Sequence, residues 1–544
     1  MKRNHPIPTY INTIPFDLIV IGAGINGTGI ARDAAMRGLK VLLLDQQDIC
    51  SGTSAWSSRL IHGGLRYLEY AEIDLVRESL RERERLFTNA AHLVKPLQFV
   101  IPLYQRNKRP PWMVKIGMLG YDILSFDKSV GNHKMLSRDE ALRRAPGLDP
   151  AGLKGAATYY DGQVELAERL CVENALSARD HGAMILTYAQ VEKFNLDGNI
   201  IRGVEFVDTL DGGSFSARAP VTLNVSGPWV DDVLKGTGRA VKRFMGGTKG
   251  THIIVDPFPG APSEAIYLEA VTDGRPIFII PWEGCYLIGT TDLRYEGDLN
   301  YVKADEEEIE YLLRETNLVI TGANLSRDSV LYTYCGVRPL PYQESGSTGS
   351  ITRRHIVHDH APEFEGLLSI IGGKLTTFRA LAEHAVDAVY KKLGRKSPKC
   401  STRHVPLPGA NTRDFTAYCQ WFSQNANLSP ETARRLLHIY GTRSTAILDI
   451  IAGDSTLKEP FSPETGAIGA ELVLAFEQEM AQTLSDALLR RTMAGLGPRV
   501  GLDADENAAK LAQKYLGWDS QRAGDEVAAY RRYIERFHPR GTRR

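Results

Sequence analysis

Residues 17–31 of this chain read DLIVIGAGINGTGIA, and this stretch decides the fold of the N-terminal part. The uninterrupted apolar run at 17–22 predicts a buried strand, and residues 26–37 predict a helix that ends near Gly38. Residues 39–45 (LKVLLLD) predict a second buried strand. A strand, a helix and a second strand in this order indicate a βαβ unit of a parallel sheet.

Three glycines mark the turn from the first strand into the helix, at positions 22, 24 and 27. Gly22 permits the tight turn, Gly24 lets backbone N–H groups approach a pyrophosphate at the helix N-terminus, and Gly27 lets the helix lie close to the sheet. Asp45, at the end of the second strand, is placed to accept hydrogen bonds from the hydroxyls of an adenosine ribose. Because strand, helix and acid are all in place, the motif predicts a dinucleotide site.

Two further segments favour FAD over NAD as the dinucleotide. Residues 51–58 (SGTSAWSS) place small hydroxyl side chains soon after Asp45, where they suit hydrogen bonds to phosphate and to a ribityl chain. Residues 370–377 (IIGGKLTT) follow an apolar strand and precede a helical pattern, so two more glycines allow a cofactor close to a helix N-terminus. The candidate cofactor ligands in these segments are Thr53, Ser54, Ser57, Ser58, Gly372, Gly373, Lys374, Thr376 and Thr377.

Length and composition exclude several classes of protein. A chain of 544 residues exceeds the size at which one hydrophobic core keeps growing, so several structural units are expected. Its 65 Lys and Arg balance its 65 Asp and Glu, so no global positive charge argues for nucleic-acid binding. The six cysteines form neither a CxxC pair nor a zinc-like cluster, so we expect reduced thiols and no metal site. Without a secretory signal or a run of 18 apolar residues, we expect a cytoplasmic protein that does not span the membrane.

The patterns along the chain predict an α/β plus α+β architecture in three units. A Rossmann-type FAD-binding domain is expected at 15–80, 151–240 and 351–400, and a sheet-based substrate domain at 81–150 and 241–350. Residues 406–411 (PLPGAN) are a candidate linker. The helical patterns that follow, at 430–440, 469–491 and 503–537, predict a C-terminal all-helical domain at 406–544. This last domain is a candidate for regulation or for contacts within a homodimer.

Six segments together resemble the FAD-dependent sn-glycerol-3-phosphate dehydrogenases, within the D-amino-acid-oxidase-like flavoproteins. They are residues 21–31, 53–69 (TSAWSSRLIHGGLRYLE), 224–231 (NVSGPWVD), 336–339 (GVRP), 371–379 (IGGKLTTFR) and 485–492 (SDALLRRT). The resemblance covers essentially the whole chain, and the only small departure is Asp45, where the family often has Glu. It adds Gly63, Gly64, Ser226 and Gly227 to the expected cofactor contacts.

The resemblance implies oxidation of sn-glycerol 3-phosphate to dihydroxyacetone phosphate, with FAD reduced and then reoxidised by a membrane quinone. A secondary alcohol must lose its hydroxyl proton while hydride leaves the carbon, so a base is required over the flavin. His62 is the candidate base, and His252 is its rival. The phosphate requires cationic partners, for which the matching motifs offer Arg66, Arg338 and Lys374, with a further hydroxyl contact from Tyr67.

Some of these assignments have plainer alternatives. Arg338 could pair with an acid in the core, Lys374 could contact the flavin in place of the phosphate, and Trp229 is expected to pack near the cofactor.

A lipid-soluble acceptor requires a surface that meets the bilayer. Residues 106–126 (RNKRPPWMVKIGMLGYDILSF) combine a basic start with large apolar side chains, which is typical of a segment at the membrane interface. The same pattern also suits a helix packed on the substrate domain. The implied location is the cytoplasmic face of the inner membrane, with peripheral lipid contact.

Other functions compete with the quinone-linked dehydrogenase. A glycerol-3-phosphate oxidase would pass the electrons to oxygen, and no motif separates the two. An amino-acid oxidase of the same fold would need a clamp for a carboxylate and an amine, whereas this chain gathers Arg and Lys. A flavin-binding sensor would turn nothing over, and an NAD-only dehydrogenase is disfavoured by the 370–377 segment.

Overall fold

A computed structural model describes residues 3–4, 6–70, 72–344 and 351–540, with the side chains of residues 66, 69 and 70 outside the description. The strands are, in chain order, β1 (Leu18–Ile21), β2 (Val41–Leu44), β3 (Leu60–Ile61), β4 (Val94–Tyr104), β5 (Lys134–Ser137), β6 (Leu153–Val164), β7 (Met184–Leu186), β8 (Ala189–Asp197), β9 (Ile200–Asp208), β10 (Ser214–Arg218), β11 (Val221–Asn224), β12 (Thr248–Val255), β13 (Ala265–Glu269), β14 (Pro276–Trp282), β15 (Cys285–Gly289), β16 (Leu293–Arg294), β17 (Val330–Arg338), β18 (Ile356–Asp359) and β19 (Leu367–Ile371).

The α-helices follow the same chain order. They are α1 (Ile25–Met36), α2 (Ile73–Asn89), α3 (Pro111–Leu124), α4 (Arg138–Arg144), α5 (Ala167–Asp180), α6 (Val230–Lys235), α7 (Glu306–Val319), α8 (Phe378–Lys392), α9 (Phe415–Asn425), α10 (Pro430–Tyr440), α11 (Ser444–Gly453), α12 (Gly469–Glu477), α13 (Leu484–Asp486), α14 (Asp505–Leu516) and α15 (Ser520–Ile534).

The first sheet contains the predicted βαβ unit. Its six strands run in the order β18, β19, β11, β1, β2 and β7, and all neighbours are parallel except β18 and β19. Strands β1 and β2 are buried along their whole length, as expected of a parallel sheet covered on both faces. Helix α1 packs between α5 and α8. The sheet thus carries the carboxyl ends of β1, β2 and β11 to one edge, where open α/β sheets bind ligands.

The second large sheet is mixed and has ten strands. Eight follow the order β16, β12, β15, β14, β13, β4, β6 and β3, while β17 pairs with β12 and β5 pairs with β6. Strand β6 lies within the range 151–240 that we expected in the cofactor domain, but it pairs along its length with β4 of this sheet. A separate three-stranded antiparallel sheet of β8, β9 and β10 completes the body.

The C-terminal region from α9 onward is helical, as predicted, but two of its expected helices are interrupted. The pattern at 469–491 divides into α12, α13 and a π-helical turn at Ala487–Arg491. The pattern at 503–537 divides into α14 and α15 at Gly517, whose φ of +69° ends the first helix.

The expected linker at 406–411 is wrong, because this segment is packed into the protein. Leu407 is 1% exposed and its N–H donates to the carbonyl of Asn89 at 2.8 Å. The N–H of buried Gly409 donates to Glu173 Oε2 at 2.6 Å. Pro and Gly favour a tight turn as well as a linker, and here they form a turn that joins the helical region to α2 and α5.

Within the described residues, none of the helices combines the length and the apolar character that crossing a membrane requires. Each of the six cysteines is a free thiol.

Candidate cofactor and substrate site

A cavity of about 260 Å³ lies at the carboxyl edge of the six-stranded sheet. Its wall is formed by the turn between β1 and α1, the end of β2, the loop at 51–57, the segment after β11 and the turn before α8. The predicted cofactor residues that line it are Gly22, Gly24, Asp45, Thr53, Ser54, Ser57, Ser226, Gly227, Gly373 and Lys374. Segments far apart in the chain are therefore brought to one cavity.

The glycine motif at this cavity is required by sterics. Gly22 has a φ of +109°, and a Cβ there would lie 2.7 Å from the carbonyl oxygen of Val225. A Cβ on Gly27 would lie 1.7 Å from the carbonyl oxygen of Gly22, so the first turn of α1 can approach β1 only without a side chain. Gly24 lines the cavity, where a Cβ would come within 3.2 Å of Ser54 Oγ. The turn therefore presents bare backbone to the cavity, as contact with a pyrophosphate requires.

Asp45 is held in a fixed orientation at the end of β2. Its carboxylate accepts hydrogen bonds from the backbone N–H of Ala23 at 2.6 Å and of Gln47 at 2.8 Å. Burial raises the pKa of Asp45 to about 6, although these two N–H donors act in the opposite direction. At neutral pH most of the carboxyl is ionised, so it can accept hydrogen bonds from ribose hydroxyls.

The loop at 51–58 connects the two large sheets. Thr53 Oγ1 donates to the carbonyl of Val337 in β17 at 2.7 Å, and Ser54 Oγ accepts from the backbone N–H of Ile25 at 3.0 Å. Ser58 is directed away from the cavity and lies 2.9 Å from Nε2 of His252. The small hydroxyl residues of this run thus divide between the cavity and the neighbouring sheet.

The two glycines before α8 also adopt conformations that favour glycine. Gly372 and Gly373 have φ values of +79° and +100°. A Cβ on Gly373 would lie 2.8 Å from Nδ2 of Asn26, at the start of α1. Asn26 lines the cavity, and its buried side-chain oxygen has no hydrogen-bond partner among the described residues. The backbone N–H groups at these two facing helix N-termini fit the anionic middle of a dinucleotide, whereas the orphaned Asn26 oxygen fits a hydroxyl donor of its sugar or ribityl part.

Other predicted cofactor residues lie behind the cavity wall and not in it. They are Gly27, Ser58, Gly63, Gly64, Gly372, Thr376 and Thr377. Gly63 is required by packing, because a Cβ would lie 2.4 Å from the hydroxyl of Tyr121. Thr376 and Thr377 are both 1% exposed and start helix α8.

His62 and Lys374 belong to one polar cluster. The backbone N–H of His62 donates to Thr376 Oγ1 at 3.1 Å, which ties the motif at 61–69 to the segment before α8. Burial, together with the charge of Lys374, lowers the pKa of His62 to about 3, so its ring is neutral and, while no anion is bound beside it, a weak base. Lys374 Nζ donates to Ser79 Oγ at 3.0 Å and lies 4.5 Å from the centre of the Tyr67 ring.

Lys374 is the cation at the cavity whose charge is most sensitive to pH. Burial lowers the pKa of Lys374 to about 7, although Asp161 and Glu78 favour its charged form. An anion arriving at the ammonium would stabilise the protonated state. Arg66 is also among the residues predicted to bind the phosphate, but its side chain lies outside the described residues.

His252 and Arg338 form a second cluster on the ten-stranded sheet. His252 is 2% exposed, and its Nε2 is paired with Ser58. Burial, with Arg338 and Arg59 nearby, holds the pKa of His252 well below its usual range. Arg338 Nη1 contacts Asp292 Oδ1 at 3.0 Å, and its Nη2 donates to Thr290 Oγ1 and to the Thr291 carbonyl at 3.2 Å each. The acid partner that the plainer interpretation anticipated is therefore present, while a quarter of the Arg338 side chain stays exposed.

Sequence reasoning missed several residues of the cavity wall. They are Asn26, Gln46, Gln47, Ser51, Gly52, Gln190, Val191, Val225, Asp232, Val233, Pro339 and Leu375, among others, while Trp229, which we expected to pack near the cofactor, also lines the cavity. Asn26 stands inside the glycine motif, and Gln46 and Gln47 follow Asp45 directly, so position in the motif could have identified them. Gln190 comes from the start of β8, and no local signal in the sequence places it at the cavity.

Comparisons with known proteins bear on the whole chain. Residues 17–379 match the family described as FAD dependent oxidoreductase, and residues 400–523 match the family described as C-terminal domain of alpha-glycerophosphate oxidase. A glycerol-3-phosphate dehydrogenase of Synechocystis is 46% identical, with 98% of each chain covered. An aerobic glycerol-3-phosphate dehydrogenase of Staphylococcus epidermidis is 32% identical, with 90% of this chain and 89% of the relative covered. The crystal structure of a Bacillus halodurans glycerol-3-phosphate dehydrogenase complexed with FAD superposes with a TM-score of 0.81 at 27% identity, covering 98% and 97% of the two chains.

Proposed function

Since this chain belongs to the FAD-dependent glycerol-3-phosphate dehydrogenase family, we propose that it oxidises sn-glycerol 3-phosphate to dihydroxyacetone phosphate and passes the electrons to a membrane quinone. The family, the fold class and the FAD cofactor expected from the sequence are confirmed. The observation that carries the substrate is the similarity over almost the whole chain to proteins named for it.

The cation at the cofactor cavity supports this substrate. Lys374 lines the cavity, and its ammonium lies beside the Tyr67 ring and Ser79 in a buried setting that strengthens the attraction of its charged form for an anion. We assign the phosphate to Lys374, with Arg66 and Arg338 as guanidinium partners and Tyr67 as a hydroxyl donor. Arg338 keeps its fork oriented by the contacts with Asp292 and Thr290, which prepares it to meet a planar or anionic oxygen group.

The cavity residues also fit the cofactor. The backbone around Gly22 and Gly24 and the side chains of Thr53, Ser54 and Ser57 would hold the pyrophosphate and ribityl chain, and Asp45 would hold the ribose. Bound FAD supplies a two-electron acceptor for the hydride that leaves the alcohol carbon. The remaining requirement on the chain is a group that takes the hydroxyl proton.

We assign removal of the hydroxyl proton to His62, with His252 as the alternative proton acceptor. His62 is neutral and partly exposed, so a substrate can reach its ring. His252 is almost fully buried, and its Nε2 is already paired with Ser58. When the phosphate dianion binds at Lys374, it offsets one of the two effects that depress the pKa of His62. Proton acceptance then becomes easier in the presence of substrate.

The membrane acceptor is supported by helix α3. Its large apolar side chains are exposed, with Trp112 and Ile116 each 62% and Ile123 63% exposed, while the buried residues of the helix are Met118 and Tyr121. A helix packed on the substrate domain would bury that face. A helix that lies in the lipid interface would expose it in the protein alone. We therefore place peripheral contact with the cytoplasmic face of the inner membrane at α3.

The proposed reaction is tested by adding sn-glycerol 3-phosphate to the purified flavoprotein without oxygen. We expect the yellow flavin to bleach, and glycerol, which lacks the phosphate, to bleach it far more slowly. A soluble quinone should then restore the colour faster than oxygen does. No bleaching by sn-glycerol 3-phosphate would refute the assigned substrate.

One observation favours a second acceptor. Residues 400–523 match the C-terminal domain of an alpha-glycerophosphate oxidase. An oxidase would share every residue assigned above and differ only in reoxidation. Fast reoxidation by oxygen with one hydrogen peroxide formed for each substrate would establish this alternative in place of the quinone.

A further inference from the structure

The segment 485–492 (SDALLRRT) carries two arginines that the proposed reaction does not use. Arg490 and Arg491 lie in the π-helical turn of the C-terminal helical region and are 3% and 0% exposed. Both reach across to Asp48, which lies in the loop after the N-terminal βαβ unit and is 0% exposed. This buried contact joins distant parts of the chain and indicates a function in positioning one part relative to the other.

Three hydrogen bonds connect the two arginines to the carboxylate of Asp48. Arg491 donates from Nη1 to Asp48 Oδ2 and from Nη2 to Oδ1, both at 2.8 Å, so the pair is bidentate. Arg490 adds a donor from Nε to Asp48 Oδ2 at 2.6 Å. Although burial disfavours the charged carboxyl, the two guanidinium groups hold the pKa of Asp48 below its usual range. Asp48 is therefore a buried, ionised carboxylate that accepts three hydrogen bonds from the two arginines.

The arginines are themselves fixed by the helical region. Arg490 Nη2 donates to Asp486 Oδ1 at 2.7 Å, and Arg491 Nε donates to the carbonyl of Glu479 at 2.8 Å. Asp486 also accepts from Tyr188 at 2.6 Å, next to the start of β8. These contacts fix the positions of the two guanidinium groups that bind Asp48.

Asp48 stands in the middle of the loop that forms one wall of the cofactor cavity. Asp45, Gln46 and Gln47 line the cavity before it, and residues 51–54 line the cavity after it. The carbonyl of Asp48 accepts from the N–H of Ser51 at 3.2 Å, so its position sets where the hydroxyl run begins. The next residues are anchored to the glycine turn, since the N–H of Cys50 donates to the carbonyl of Ala23 at 3.1 Å.

From this arrangement we infer that Arg490 and Arg491 are positioning residues for FAD, acting through Asp48. They hold the loop at 45–54 in the shape that retains the cofactor, although neither arginine belongs to the cofactor cavity itself. The C-terminal helical region thereby takes part in flavin binding, a role that goes beyond the proposed reaction and does not depend on its substrate.

The test compares two conservative variants of the holoenzyme. Arg491→Lys keeps the charge but loses the bidentate fork on Asp48. Arg37→Lys is the matched control, because the Arg37 side chain is also buried and its guanidinium pairs with two carboxylates, Asp33 at 2.6 Å and Asp387 at 2.5 Å, without contacting Asp48 or its arginines. The readouts are the rate and extent of FAD release on dilution, followed by flavin fluorescence, and hydrogen exchange of peptides that cover residues 45–54.

We expect Arg491→Lys to raise the dissociation constant of FAD about tenfold or more, which corresponds to one lost charge-assisted hydrogen bond, and to speed exchange at 45–54. Arg37→Lys should stay within about twofold of the parent for FAD while losing a similar amount of thermal stability. Equal effects of both variants on FAD, or unchanged FAD release in Arg491→Lys, would overturn the inference. If Arg491→Lys does not fold, Arg490→Lys, which removes the Nε contact with Asp48 and the Nη2 contact with Asp486, is read by the same two measurements and the same criteria.

Discussion

The backbone N–H of Gly63 donates to the hydroxyl oxygen of Tyr121 at 3.0 Å. Tyr121 is on the buried side of α3, and its hydroxyl also donates to Asp161 at 2.8 Å. The helix that exposes an apolar face is thus bonded directly to the loop that carries His62. We infer that a shift of α3 at a lipid surface would move the loop that carries His62, the candidate base.

Replacing Tyr121 with Phe should disturb this loop without unfolding the protein. The Gly63 N–H keeps Asp161 Oδ1 as a partner at 3.2 Å, but the buried Asp161 carboxylate loses the hydroxyl donor, so the expected loss in the free energy of unfolding is about 1.5–3 kcal/mol. Flavin reduction by sn-glycerol 3-phosphate should slow, measured by stopped-flow absorbance. Tyr159→Phe is the control, since it removes a neighbouring buried hydroxyl and leaves both partners of Gly63 in place. Equal rates in the two variants would contradict the link.

Lys374 should make substrate binding depend on pH. Its pKa of about 7 means that the ammonium is charged below this pH and loses its proton as the pH rises through it. Because the phosphate is attracted by the charged form, the KM for sn-glycerol 3-phosphate should rise above pH 7 in the parent enzyme. In Lys374→Arg, whose guanidinium stays charged, that rise should disappear even if the KM is higher throughout. The same rise in both proteins would remove Lys374 from the phosphate site.

His62→Asn should retain FAD and slow flavin reduction by roughly 10² to 10⁴-fold, the usual contribution of a general base. The pKa of His62, about 3, predicts that the ligand-free ring stays neutral throughout the neutral range. His252→Asn provides the comparison, because it removes the other candidate ring. A larger loss in His252→Asn than in His62→Asn would transfer the role to His252. The measurement is the rate of flavin bleaching under saturating substrate.

Gly24→Val should yield protein with little bound flavin. The Cβ alone would come within 3.2 Å of Ser54 Oγ, and the remaining methyl groups would enter the space assigned to the pyrophosphate. We expect the dissociation constant of FAD to rise at least ~100-fold, equivalent to about 2.7 kcal/mol. Gly524→Val is a suitable control, since a Cβ at that helical position meets no atom within 4 Å. A yellow Gly24→Val protein would refute the pyrophosphate assignment.

Polar substitutions on α3 should weaken binding to lipid. Replacing Trp112 and Ile116 together with Ser removes two side chains that are each 62% exposed, so the fold should be retained. Flotation with vesicles that contain anionic lipid should recover much less of this variant than of the parent. Trp421→Ser serves as the control, because Trp421 is also exposed, at 49%, but belongs to the helical region. Unchanged flotation of the α3 variant would place the membrane contact elsewhere.

The parts of the fold that the sequence predicted are those that local chemistry dictates. Gly22 and Gly27 are excluded from carrying side chains by atoms of their own turn or of the adjacent strand, so the motif and its structure are inseparable. The helix at Pro430–Tyr440 was predicted with its observed bounds, because Ser429 caps it and Gly441 ends it. Residues 370–377 reach the cavity for the same local reason, a glycine pair before a helix.

The rest depends on contacts between distant residues. Arg338 binds Asp292 and Thr290, which are 46 and 48 residues away in the chain. The sequence around Arg338 contains no signal that predicts either partner. The turn at 406–411 has the composition of a linker and is buried only because Asn89 and Glu173 bind its backbone. Gln190 reaches the cavity because β7 and β8 return beside β2.

The bond between Asp48 and Arg490 also has a consequence for biosynthesis. The two residues are 442 positions apart. At the ~5–20 residues per second of translation, the ribosome needs roughly 20–90 s to reach Arg490 after Asp48 has been made. During that interval the nascent βαβ unit carries a carboxylate that awaits its partners. We therefore expect the nascent chain to hold FAD more tightly once Arg490 and Arg491 have been made and can bind Asp48.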